Sequence, residues 1–187
     1  MRYLSLPTTL AAMLAFALAG AAQNLPAPPP QPAAPFIAGD NSFSASFPGP
    51  VTATPLRSEV AYTSTADGVT YRVLVRNRDF QGQPGEGDAD ILSDYVASFL
   101  GHLTTNYQKY GFTPVFEPAA NIAADNAAGL AYSGDLGSQQ TLYQFWLTAR
   151  LLYVASVTYP TVRQPAPDAR GFLKSIRLAQ APAAAAR

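Results

Sequence analysis

Leu142-Tyr-Gln-Phe-Trp-Leu-Thr-Ala-Arg-Leu-Leu-Tyr-Val-Ala-Ser-Val-Thr-Tyr159 decides the fold. Residues 142–149 and 151–159 are the chain's richest runs of β-branched and aromatic side chains, the composition that suits a pleated, buried surface. They predict two strands at the heart of a sheet. Alternation places Phe145 and Trp146 on opposite faces of the first strand.

Upstream, Phe43-Ser-Ala-Ser-Phe47 puts Phe43, Ala45 and Phe47 on one face and is stopped by Pro48-Gly-Pro50, so it reads as a short strand. Residues 57–64 and 69–76 form a predicted hairpin across Ala66-Asp-Gly68, because Asp and Gly tolerate the positive φ of tight turns. In its second strand Tyr71, Val73 and Val75 face one way. Arg72, Leu74 and Arg76 face the other, which should be the wetter side.

After the loop Gln81–Gly87, Ile91, Leu92, Tyr95, Val96, Phe99, Leu103, Tyr107 and Tyr110 recur at three- and four-residue steps and predict one long amphipathic helix. Asp88 or Asp90 is expected to cap its start. Lys109 sits near the negative end of its dipole, and Gly111-Phe112 matches a left-handed stop after Tyr110. Further strands are expected over 113–116 and 127–133. Downstream of Pro165 and Pro167, residues 168–176 predict a short final helix that turns Phe172, Leu173 and Ile176 inward. The expected class is α+β: an antiparallel β-sheet with the long helix and the C-terminal helix packed on it.

The ends of the chain carry an address. Met1-Arg2-Tyr3, the apolar run Leu10–Leu18 and the small residues Ala19-Gly-Ala-Ala22 read as a secretory signal peptide, residues 1–22, cut after Ala21 or Ala22. The apolar run is about half the roughly 20 residues needed to span a bilayer, so no membrane span is expected after cleavage. Residues 23–39, rich in proline, predict an extended spacer. A single globular domain is expected over 40–178 and a disordered tail over 179–187. With no cysteine, the fold must stand on packing alone, which suits a periplasmic protein of a Gram-negative bacterium. Twelve basic side chains balance twelve acidic ones without a like-charge run, which gives no footprint for nucleic acid.

Phe43-Ser-Ala-Ser-Phe-Pro-Gly-Pro50, Tyr71-Arg-Val-Leu-Val75, the long helix, Arg150-Leu-Leu-Tyr-Val154 and Ala169-Arg-Gly-Phe-Leu-Lys-Ser175 together resemble PsbP-like domains over residues 40–178. The resemblance implies an α/β/α sandwich. It also implies roles in assembly or binding, as in a lumenal subunit supporting the oxygen-evolving complex and a nuclear-import accessory protein. No functional motif shared across that superfamily maps onto a residue of this chain.

Catalytic patterns fail on geometry. Asp94, Ser98 and His102 form an i, i+4, i+8 row on the helix, but a triad needs the histidine between acid and serine, and here Ser98 lies in the middle. A polar helix edge is the simpler reading. Glu86, Asp88, Asp90 and Asp94 lack the further ligands, glycine and terminal glutamate of a calcium loop. They suit a helix N-terminus instead. Gly82, Gly85 and Gly87 follow no phosphate-loop spacing. No residue is therefore assigned a catalytic, cofactor-binding or metal-binding role, and no cofactor is implied. The sequence reading is an exported, periplasmic, non-enzymatic binding or accessory protein with a protein partner in the envelope, such as an envelope assembly. The alternatives are a binder of a small apolar ligand between helix and sheet, and a hydrolase-type enzyme whose residues meet only in the fold.

Overall fold

Hydrophobic alternation places strands along most of the chain, and the computed structural model, which describes residues 35–78, 87–122, 127–162 and 167–179, contains ten of them. They are β1 (Phe36–Ile37), β2 (Phe43–Ala45), β3 (Thr52–Pro55), β4 (Glu59–Ala66), β5 (Val69–Asn77), β6 (Val115–Asn121), β7 (Ala128–Asp135), β8 (Gln139–Leu147), β9 (Leu151–Pro160) and β10 (Arg177–Leu178). Helix α1 (Asp88–Gln108) lies between β5 and β6, and α2 (Pro167–Ser175) lies between β9 and β10. The predicted signal peptide, most of the predicted spacer and nearly all of the predicted tail lie outside the described residues. Among the described residues no helix is long and apolar enough to cross a membrane.

Seven strands form one antiparallel sheet in the order β3-β4-β5-β9-β8-β7-β6. The run that decides the fold supplies β8 and β9, which lie inside it as their composition demands. The β4–β5 turn closes as predicted, with Asp67 at φ 51° and Gly68 at φ 74°. Topology then dictates where α1 must go. The chain leaves β5, third strand of the sheet, and resumes at β6 on the far edge, so its connection has to cross the face formed by β9, β8 and β7. α1 packs on β7 and β8.

The α+β expectation of a single sheet with two helices packed on it is corrected here, and with it the α/β/α sandwich that the resemblance implied. The fold is mostly β and has two antiparallel sheets, with helix confined to segments of 21 and 9 residues. A second sheet of three strands, in the order β1-β2-β10, joins α2 on the face opposite α1. Phe43 and Phe47 therefore do not extend the main sheet; they stack in a second layer against Phe36, Tyr62 and Phe172. The physical reason is area: a nine-residue helix is only about 14 Å long and leaves much of a seven-stranded face bare. β1 lies inside residues 23–39, where the proline content predicts a spacer, and β3 follows a proline stop where no strand is expected.

Alternation divides the core in two. Trp146 shares one cluster with Phe43, Phe47, Tyr71, Val73, Tyr153 and Phe172, whereas Phe145 lies on the other face with Leu92, Val96, Leu147 and Val154. One buried hydrogen bond links the two sheets: the Tyr153 hydroxyl donates to the Ser42 carbonyl at 2.9 Å. That carbonyl also accepts from the Ala179 amide, so Tyr153→Phe should leave it satisfied and cost about 1 kcal/mol in a denaturant melt. An unchanged midpoint would show that the small sheet is held by packing alone.

The ends of α1 follow local chemistry with one exception. Gly111 at φ 79° stops it, the Phe112 amide bonds back to the Tyr107 carbonyl and the Gly111 amide to that of Gln108, and the Phe112 ring meets Tyr107 edge-on. Neither Asp88 nor Asp90 caps the start. Gly87 occupies the cap position in a left-handed conformation, and Asp88 turns instead to Arg78 at 2.6 Å. Tyr110, expected on the apolar stripe, lies past the stop and is 87% exposed.

Candidate functional site

Two surfaces are built by this topology, and neither is legible as a motif. The first lies beside α1. Starting near Arg78, the helix passes Glu59 and Arg76, whose charges act on Tyr95. It then sets Phe99 edge-on to both Tyr143 and Phe145, and it ends with Tyr107 against Phe112. The path is diagonal. On the same face, Thr63, Thr70, Arg72, Ser156 and Thr158 of β4, β5 and β9 stay partly exposed.

This floor is a pair of cross-strand rows, partly exposed on β4, β5 and β9 and buried on β8, where Thr141 and Tyr143 are 1% and 8% exposed. One runs Thr63, Arg72, Ser156, Tyr143 and the next runs Thr65, Thr70, Thr158, Thr141. The Thr141 and Thr158 hydroxyls are 2.9 Å apart and hydrogen-bonded. Burial pushes the Tyr143 phenol up to about 12, offset in part by a hydrogen bond with Thr141 and by the positive charge of Arg72. Tyr143 is thus a neutral hydroxyl at any physiological pH. Arg72 is half-buried, its Nε is sealed from solvent without a hydrogen-bond partner, and no ion pair forms to it among the described residues. On α1, Tyr95, Phe99, His102 and Asn106 recur at steps of four, three and four, so they share the flank beside this floor.

The second surface lies at the end of the sheet where α1 finishes. The turn between β7 and β8 is its hub. Asp135 accepts from the Gly137 amide at 2.8 Å, and Gly137 is at φ 83° with its bare Cα against the Phe112 ring. Thr161 binds this turn twice, through its amide to the Ser138 carbonyl and its hydroxyl to the Gly137 carbonyl. Three apolar side chains at this end of the sheet are exposed: Tyr110 just past the helix stop, Val115 opposite Asp135, and Val162 beside Thr161, at 87%, 57% and 94%. Single exposed apolar residues are ordinary, and several at one end of a sheet make that end a candidate docking surface.

The residues tested for chemistry lie elsewhere. Asp94, Ser98 and His102 are exposed on α1, and His102 makes no hydrogen bond to either. Asp90 is exposed in the first helical turn, Asp88 pairs with Arg78, and Glu86, Gly82 and Gly85 lie outside the described residues. Among the described residues no three acidic or histidine side chains come close enough to hold a metal ion. Reasoning from sequence placed Arg72 on the wetter face but gave it no role. Its signal was an arginine inside a strand alternation whose neighbours across the sheet, Thr63 and Ser156, are uncharged.

No family model matches the chain, and no curated protein matches it. Among solved structures, it is similar to a protein of Bacteroides thetaiotaomicron determined at 1.50 Å resolution, with 11% identity and a TM-score of 0.38. The match covers 78% of this chain and 48% of the other, so the chain spans about half the length of that protein. None of these matches names a PsbP-like protein.

Proposed function

We propose that this chain is an exported periplasmic accessory domain that works by binding, and that its protein partner docks on the apolar end around Gly137. The signal-like start, the proline spacer and the lack of cysteine support export. The observation that carries the docking surface is the exposure of Tyr110, Val115 and Val162 at the end of the sheet that holds the Gly137 turn. A partner burying these side chains gains roughly 25 cal/mol for each Å² of apolar surface removed from water.

Capture from envelope extracts of the bacterium that encodes the chain tests this reading. Tagged residues 23–187 should retain a specific partner. The double variant Tyr110→Ser, Val162→Ser should retain at least tenfold less while keeping its melting temperature, because aromatic anchors carry a disproportionate share of interface energy. Equal retention by the double variant would move the interface elsewhere.

A further inference from the structure

We propose that Arg72 anchors an oxyanion site, so that the partly exposed floor beside α1 takes a small molecule through a carboxylate or phosphate group. The comparison with Arg78 and Arg177 carries the inference. Arg78, just past the end of β5, is given Asp88 at 2.6 Å and the Thr148 carbonyl at 3.2 Å. Arg177 is given the carbonyls of Lys174 and Ile176. Among the described residues Arg72 is given no partner: its neighbours across the sheet are Thr63 and Ser156, and its Nε is buried without a hydrogen bond. A buried N–H left without a partner costs free energy, and native structures retain such a group where something else completes it.

The surroundings define what completes it. The planar fork of Arg72 matches two oxygens of a carboxylate or phosphate. Ser156, Thr70 and Thr158, in its own and the adjacent row, offer hydroxyls that can donate to the remaining oxygens. The Phe99 ring, edge-on to Tyr143, supplies an apolar wall for the body of the ligand, in keeping with sites that combine a few placed polar groups with aromatic lining. The site is independent of the apolar end, so loss of one surface leaves the other intact.

Residues 23–187 titrated at neutral pH with inorganic phosphate and, separately, with benzoate test this by amide chemical shifts and thermal melts. At least one probe should saturate, with shifts centred on residues 70–74, 141–143 and 154–158, and should raise the melting temperature. Saturation by phosphate alone would assign a phosphorylated ligand, and by benzoate alone a carboxylate. Arg72→Gln should weaken binding at least tenfold. Arg72→Met should abolish it and yet raise the melting temperature of the unliganded protein by a few degrees, because it removes an unpaired half-buried charge. Absence of saturation with both probes at tens of millimolar, undiminished binding by Arg72→Gln, or a lower melting temperature for Arg72→Met would each overturn the proposal.

Discussion

Trp146→Ala is expected to cost about 3–5 kcal/mol of folding free energy, the range for removing a large aromatic from a packed core. The indole is 4% exposed and sits on the face that the small sheet covers, beside its cross-strand neighbour Tyr153. Its ring edge is fitted to the bare Cα of Gly129: a Cβ there would stand 3.0 Å from Trp146 Cδ1 and 2.6 Å from the Ile122 carbonyl oxygen. The surrounding walls are strand backbone and two layers of aromatic rings, which cannot collapse into the space an alanine would leave. Denaturant melts of the two proteins check this. A loss below about 1 kcal/mol would mean that the second layer does not seal that face.

Asp88→Ala should be comparably severe for a different reason. The Arg78 and Asp88 side chains are 3% and 14% exposed, and the pair fixes the start of α1 to the end of β5. The Arg78 amide bonds the Arg150 carbonyl and its guanidinium the Thr148 carbonyl, so the β8–β9 turn belongs to the same junction. Removing the carboxylate strands a buried cation, which typically costs about 3–5 kcal/mol, whereas removing both charges costs far less. Asp88→Ala with Arg78→Met should therefore recover most of the lost stability. A double variant as unstable as Asp88→Ala alone would show that Asp88 acts through the helix terminus and not through the ion pair.

What could be read in advance follows the range of the interactions. β8, β9, the β4–β5 hairpin and α1 with its Gly111 stop are written in local alternation, helical periodicity and turn chemistry, and they stand where those signals put them. The second sheet is not local. It joins Phe43 to Leu178 and Ser44 to Arg177, and each of its strand pairings is only two residues long, too short to leave a periodic trace. For that reason Phe43-Ser-Ala-Ser-Phe47 read correctly as a strand but was expected in the wrong layer. Asp88 misled because acidic residues before an apolar stripe usually cap, and its distant partner Arg78 competed for it. The candidate surfaces were hidden for the same reason. Tyr110 and Val115 lie at the α1–β6 junction, Gly137 in the β7–β8 turn and Val162 after β9, and Arg72 becomes conspicuous only when its uncharged neighbours on β4 and β9 are known.

Hydrogen–deuterium exchange on the domain, free and with its captured partner, tests the docking surface most directly. The account predicts new protection at residues 110–116, 135–138 and 161–162, with the β3 edge and the exposed flank of α1 unchanged. Protection confined to β3 or to α1, with the Gly137 end exchanging as in the free protein, would contradict it.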